Sequence, residues 1–143
     1  MNALQLLLDF GLLLLIWIVQ LIIYPSFTFM DEAGFQRWHP PYTQVISYFV
    51  VPLMLAQVAL YSYLLIQEFR WLLLIQLILI GVAWANTFLV AVPLHNTLGS
   101  NTITLPYRTQ LVRINRWRTA AWTLVFLLTV WQFFRQYLKS SNF

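Results

Sequence analysis

Four stretches of the chain contain no Asp, Glu, Lys or Arg. They run from Phe10 to Met30, Trp38 to Gln67, Trp71 to Tyr107 and Thr119 to Phe134, with lengths of 21, 30, 37 and 16 residues. A helix needs roughly 20 apolar residues to cross a hydrocarbon core of about 30 Å. The first three stretches meet that length. The fourth reaches only about 24 Å at ~1.5 Å per residue, which places Arg118 and Arg135 near the interfaces or against polar neighbours.

The pattern predicts four helices, at about 3–27, 42–66, 71–92 and 106–138. Proline cannot donate a backbone hydrogen bond, so Pro25 is expected to close the first helix. Pro40-Pro41 suits the first turn of the second, where an amide hydrogen would be unpaired anyway. Pro52 falls inside that second helix and frees the carbonyl of Tyr48. The link Gln67-Glu68-Phe69-Arg70 is short enough to make the second and third helices an antiparallel hairpin. Gly81 and Ala83 allow close helix contact in the third. Pro93 ends or kinks it, and Gly99-Ser100-Asn101 marks a turn. The last helix, about 33 residues or roughly 50 Å long, exceeds a membrane's thickness, so its first turns are expected at or beyond the interface. The expected fold is all-α: an antiparallel four-helix transmembrane bundle in a single domain, 1–143, with no internal repeat.

Composition agrees. Of 143 residues, 61% are hydrophobic and 8% charged, against about a quarter charged in soluble domains. A water-soluble core of this size could not hide so many apolar side chains. The absence of cysteine excludes disulfides and thiolate metal sites. The net charge of +4 comes from basic residues that flank apolar segments, which is no nucleic-acid signature. The first apolar stretch lacks a basic leader and a small-residue cleavage site, so it is expected as a retained helix. On four spans, loops 1 and 3 share one side with Arg37, Arg108, Arg113, Arg116 and Arg118. The other side holds Arg70, Arg135 and Lys139, so the excess of basic residues favours loops 1 and 3 in the cytoplasm.

Polar residues gather at the loop 1 and loop 3 end. The first helix brings Gln20 and Tyr24, the second Gln44 and Tyr48, the third Asn86, Thr87 and His95, and the fourth Asn115, Arg118 and Trp122. Polar groups at membrane depth are costly unless they pair, so the gathering implies a polar-lined pocket or a structural network. Asn115, Arg118, Thr119 and Trp122 share one face of the last helix. Simpler roles stand beside these. Arg118 reaches an interface by snorkelling, Asn115 packs helices, a histidine caps a helix end, and Trp38, Trp71, Trp117 and Trp131 anchor at interfaces. Haem between His39 and His95 lacks an attachment motif, and a metal set of His39, His95, Asp31 and Glu32 fits no usual spacing. Neither metal nor haem is expected. No phosphate loop or Ser-His-Asp set is present. Asp9 is the one acidic residue placed within a helix, and near its start, which argues against proton-coupled transport.

Val92-Pro93-Leu94-His95-Asn96 and Asn115-Arg116-Trp117-Arg118-Thr119-Ala120-Ala121-Trp122 resemble a pattern in small bacterial four-helix membrane proteins. Trp17-Ile18-Val19-Gln20, Tyr24-Pro25 and Val51-Pro52-Leu53-Met54 are similar too. That resemblance brings no function with it. More distantly, the Pro-x-x-Asn and Asn-x-x-Arg elements resemble the anthrone-oxygenase-like family, some of whose members oxygenate polycyclic phenols without metal or flavin. The resemblance implies roles for Asn96, Asn115 and Arg118, where an arginine and an amide would stabilise a phenolate or enolate.

Two functions are expected from these residues. In the first, the polar end binds a small amphipathic molecule (a quinone, a phenol or a lipid) and acts on it in an oxygenase-like way. Arg118 and Asn115 would hold an oxyanion and His95 would serve as base. Asn96, Asn86, Trp122, Thr119, Gln20, Tyr24, Tyr48 and His39 would line the site. In the second, the chain is a structural or accessory subunit of a larger membrane protein complex. Membrane lipids are expected neighbours in both, and nucleic acid in neither.

Overall fold

The computed structural model describes residues 3–100 and 104–140. Among them the chain is helical almost throughout and contains no strand. Four continuous helices account for it: α1 (Ala3–Thr28), α2 (Glu32–Gln67), α3 (Trp71–Ser100) and α4 (Leu105–Ser140). The first three are long and apolar enough to cross a membrane. Their outward faces carry Leu7, Leu21, Val45, Leu89 and other exposed apolar side chains, a surface suited to lipid.

Two expectations about helix ends are corrected. Helix α2 begins at Glu32, ten residues earlier than the Pro40-Pro41 pair suggested, and holds both prolines and Pro52 in its interior. Three local features set the earlier start. The Asp31 carboxylate caps the helix by accepting from the Gly34 amide at 2.9 Å. A Cβ at position 34 would stand 2.4 Å from that oxygen, so glycine makes room for the cap. Glu32 in the first turn then complements the helix dipole. Loop 1 shrinks accordingly to Phe29–Asp31. Likewise Pro25 and Pro93 do not end their helices. The turn expected at Gly99-Ser100-Asn101 moves past Ser100, and Asn101 itself lies outside the described residues.

The device that carries α1 and α3 past proline is the same in both. Each forms one π turn, Val19–Ile23 in α1 and Thr87–Ala91 in α3. In each, the residue just before proline donates across the wide turn, Tyr24 N to Val19 O and Val92 N to Thr87 O. Proline leaves the carbonyl four residues back without a donor and crowds it, and the wider turn accommodates that crowding. Helix α1 then runs on to Thr28, and α3 to Ser100.

Side-chain hydrogen bonds show how the helices lie against each other. Asp9 on α1 meets Thr129 on α4, while Gln20 meets Asn115, so numbers rise along one helix as they fall along the other. The same inverse order links Tyr61 and Gln76, then His39 and His95, between α2 and α3. Apolar packing fills the space between these pairs. Leu12, Ile16, Met54, Ala83 and Trp122 form the middle, with Phe27, Phe35, Leu98 and Leu111 toward loops 1 and 3.

A buried arginine closes that end. Arg108, 1% exposed, donates to the carbonyls of Phe27 (3.1 Å) and Met30 (2.7 Å). It also donates to Thr104 Oγ1 at 2.6 Å and pairs with Glu32 at 2.5 Å. Its guanidinium lies 4.0 Å from the Phe35 ring centroid. Glu32 in turn accepts from the Thr104 amide and hydroxyl at 3.1 and 2.6 Å. One guanidinium thus ties the end of α1, the start of α2 and the start of α4. The first turns of α4 pack on this clamp instead of projecting freely. At the opposite end, Arg70 pairs with Glu68, and that hydrogen bond holds the exposed Glu68 carboxyl below the usual range.

A buried acceptor left without its donor costs about 1–3 kcal/mol, and Arg108 serves the Phe27 and Met30 carbonyls. Arg108→Ala is expected to lose about that much in an unfolding titration in mixed micelles. Glu32→Gln is expected to lose less, because the Phe27 and Met30 carbonyls keep their donor.

Candidate functional site

Each helix contributes one residue to a single polar centre: Tyr24 from α1, His39 from α2, His95 from α3 and Arg118 from α4. The Tyr24 hydroxyl lies 3.0 Å from His95 Nε2, and His95 Nδ1 lies 2.9 Å from His39 Nε2. The two imidazoles are nearly coplanar, 21° apart with centroids at 5.1 Å, as an in-plane N–H···N bond requires. Phe35 lies against His39 with centroids 4.9 Å apart. Both nitrogens of His95 are therefore engaged. With neutral rings, the chain runs either from Tyr24 through His95 to His39 or in reverse. The two directions differ only in which atoms carry hydrogens.

Arg118 is 6% exposed, so its guanidinium lies inside the bundle and does not snorkel to an interface. It stands beside the Tyr24 hydroxyl, and 5.5 Å from the Trp122 ring centroid. Among the described residues the acidic partners of ion pairs are Glu68 and Glu32, held by Arg70 and Arg108. No carboxylate pairs with Arg118, and its Nε is buried with no hydrogen-bond partner. A buried charge normally keeps a partner, because leaving it unpaired is strongly destabilising.

Arg118 also lines a cavity of about 260 Å³, with Tyr24, His39 and His95. The cavity's walls are mainly apolar, from residues such as Val19, Met54 and Phe88, and it is partly open. Ligand sites commonly have this make-up, at about 300–1,000 Å³. The mouth passes between α2, at Thr43 and Ser47, and α3, at Val92 and Asn96.

The other candidate residues divide. Asn96 and Thr87 line the cavity. Tyr42, buried beside it, was not singled out in the sequence, where it reads as one more interfacial tyrosine. Asn115 does not face the cavity. Its amide donates to Gln20 Oε1 at 3.0 Å, and the Thr119 hydroxyl lies 3.4 Å from the same oxygen. Gln20 Nε2 donates back to Val112 O at 3.2 Å. These three form a seam between α1 and α4. Tyr48 is 65% exposed, and its hydroxyl accepts from Gln44 on the outer face of α2. Asn86 is half-buried at the start of the π turn, its Oδ1 without a partner. Trp122 donates to Gln57 Oε1 at 3.1 Å, away from the cavity.

The set His39, His95, Asp31 and Glu32 is not brought together. Asp31 caps α2 and Glu32 belongs to the Arg108 clamp. The two histidines are in direct hydrogen-bond contact instead of flanking a slot. Among the described residues no group of three or more metal-ligating His, Cys, Asp or Glu side chains forms. A second polar centre, around Asp9, was not foreseen. Asp9, Gln57, Tyr61, Gln76 and Thr129 are isolated polar letters in apolar runs, and only their matching depth on four helices would have revealed it.

The Gln20–Asn115–Thr119 seam is structural on this geometry. Hydrogen bonds between membrane helices contribute about 0.6 kcal/mol on average, at most about 1.7. Asn115→Ala is expected to lower stability by about that amount in thermal unfolding and to leave the cavity's contents unchanged.

Comparison with known proteins yields no match: no family model, no curated protein and no solved structure is similar to this chain.

Proposed function

We propose that the chain is an integral membrane protein, a four-span antiparallel bundle, whose cavity receives the polar head of a small amphipathic molecule. The observation that carries this is Arg118, buried, without a counter-charge and with Nε unpartnered at the wall of an apolar cavity. A strong acceptor or an anion is the missing partner. A quinone oxygen, a phenolate or a lipid headgroup each supplies one. The mouth between α2 and α3 suits entry from the lipid, with the apolar part of the molecule along Val51 and Phe88.

For a phenol, the Tyr24 hydroxyl would take the phenol's proton while passing its own to His95 Nε2, and Arg118 would hold the phenolate oxygen. The Tyr24–His95–His39 chain spreads that proton over three groups. The anthrone-oxygenase-like resemblance implies only the holding of the phenolate, by Asn96, Asn115 and Arg118. Asn115 does not share it, since its amide is bound to Gln20.

Orientation does not follow from charge. Arg108 and Arg118 are buried, which removes two from the five basic residues at the loop 1 and 3 end. Three remain, Arg37, Arg113 and Arg116, against Arg70, Arg135 and Lys139 at the other.

Native mass spectrometry and an absorption spectrum of gently extracted protein are expected to show a bound small molecule. A benzoquinone, a naphthol and phosphatidylglycerol, tested separately, identify its class. Arg118→Gln is expected to weaken binding at least tenfold, about 1.4 kcal/mol. Ser47→Phe, which fills the mouth without touching the polar centre, is expected to do the same. An empty protein that binds none of the three, or variants that bind as tightly as the parent, would overturn the assignment.

A further inference from the structure

The second polar centre lies toward the loop 2 end and has no part in the headgroup site. Asp9 on α1 is 1% exposed. Gln57 Nε2 donates to its Oδ1 at 2.7 Å, and the hydroxyls of Tyr61 and Thr129 each lie 2.6 Å from its Oδ2. Behind them, Gln76 on α3 donates to Thr129 Oγ1 at 2.8 Å and lies 3.3 Å from the Tyr61 hydroxyl. Gln132 on α4 donates to Gln76 Oε1 at 2.8 Å. Asp9 is thus the terminal acceptor of a network drawn from all four helices, and among the described residues no cation pairs with it.

The same heavy-atom positions satisfy a second arrangement of hydrogens. Tyr61 and Thr129 also lie 2.9 Å from each other, and Thr129 Oγ1 lies 3.1 Å from the Val125 carbonyl. With a proton on Asp9 Oδ2, Asp9 donates to Tyr61, Tyr61 to Thr129 and Thr129 to Val125 O. No donor is left idle and no side chain has to move. A carboxyl fixed in one state by its surroundings would need only the first arrangement. Within a membrane domain, an ionisable group without a counter-ion marks a working site.

A cleft of about 270 Å³ lies at the edge of this network, lined by Gln67, Glu68 and Arg70 from the link between α2 and α3 and by Gln5 and Gln132. Gln132 is the outermost amide of the chain to Asp9, and Gln5 is buried beside Tyr61. The groups facing Asp9 are Gln57 and Tyr61 from α2 and Thr129 from α4, with Gln76 of α3 behind them. Tyr61 alone of these is titratable. Glu68 and Arg70 line the cleft, and Arg135 lines the neighbouring one that also meets Gln132.

We propose that Asp9 is a reversible proton-binding site inside the bundle. One proton from solvent forms the Asp9 O–H bond, Tyr61 and Thr129 turn their hydroxyls, and the centre's charge rises by one. Gln57, Gln76 and Gln132 keep their orientations throughout. In the sequence Asp9 stands only as an acidic residue near a helix start; the structure buries it among donors from α2 and α4.

The chain has two aspartates, Asp9 and Asp31. Asp31→Asn keeps a good helix cap and leaves Asp9 as the only aspartate. This variant, with carboxyl-13C aspartate and reconstituted in lipid, is followed by infrared spectroscopy across the pH range in which it stays folded. The expected result is one labelled band that converts between carboxylate and carboxylic acid. Thr129→Val and Tyr61→Phe are made separately in the same background: Thr129→Val, which removes a bond that only the carboxylate receives, is expected to raise the midpoint by about one pH unit or more, and Tyr61→Phe, which removes a bond from both forms, to move it by less. A label that stays in one form throughout would overturn the proposal, as would a midpoint unmoved by both substitutions.

Discussion

In the membrane setting proposed for this bundle, lipid offers no hydrogen bonds, so every polar atom at depth must find its partner within the chain or in something the chain holds. That constraint organises the whole bundle. Leucine-rich faces are interchangeable and set neither the rotation of a helix nor its height against a neighbour. The polar side chains do. Gln20 against Asn115 and Asp9 against Thr129 fix α1 on α4. Tyr61 against Gln76 and His39 against His95 fix α2 on α3. The Arg108 clamp then pins the tips through the Phe27 and Met30 carbonyls at the end of α1.

Against this rule the two polar centres differ in kind. The Asp9 centre is closed and self-sufficient, and it has a spare hydrogen arrangement. The Arg118 centre is incomplete: a guanidinium at a cavity wall, with a nitrogen that nothing in the chain serves. A completed network holds helices together, whereas an incomplete one asks for a visitor. The contacts of His39 and His95 hold that incompleteness in place, since neither can swing without breaking the bond between them, and His95 would also lose Tyr24.

Much of this was legible in the sequence. Charge-free runs located the four helices, and depth alone gathered Tyr24, His39, His95 and Arg118 at one end. What sequence could not supply was direction around the helix axis. Tyr48 has the right depth but faces outward, while Tyr42, six residues earlier, faces in. Asn115 shares a face with Arg118 yet turns to Gln20. The early start of α2 escaped notice because two adjacent prolines look like a beginning. Here the Asp31 cap and the Glu32–Arg108 pair, which links residues 76 apart, decide the start instead. Asp9 was discounted for the same reason: its donors come from Gln57, Tyr61 and Thr129, each remote in sequence and unremarkable alone.

Trp122 stands between the two centres and touches both. Its ring faces Arg118, and its indole N–H holds Gln57, whose amide in turn holds Asp9. Reciprocity then governs anything bound at either end. If a headgroup on Arg118 alters the proton affinity of Asp9 by some factor, a proton on Asp9 alters the headgroup's affinity by the same factor. The indole is a shared contact between them, to Arg118 through its ring and to Gln57 through its N–H. A phenylalanine there would keep a ring beside Arg118 but drop the bond to Gln57, separating the electrostatic part of that linkage from the hydrogen-bonded part.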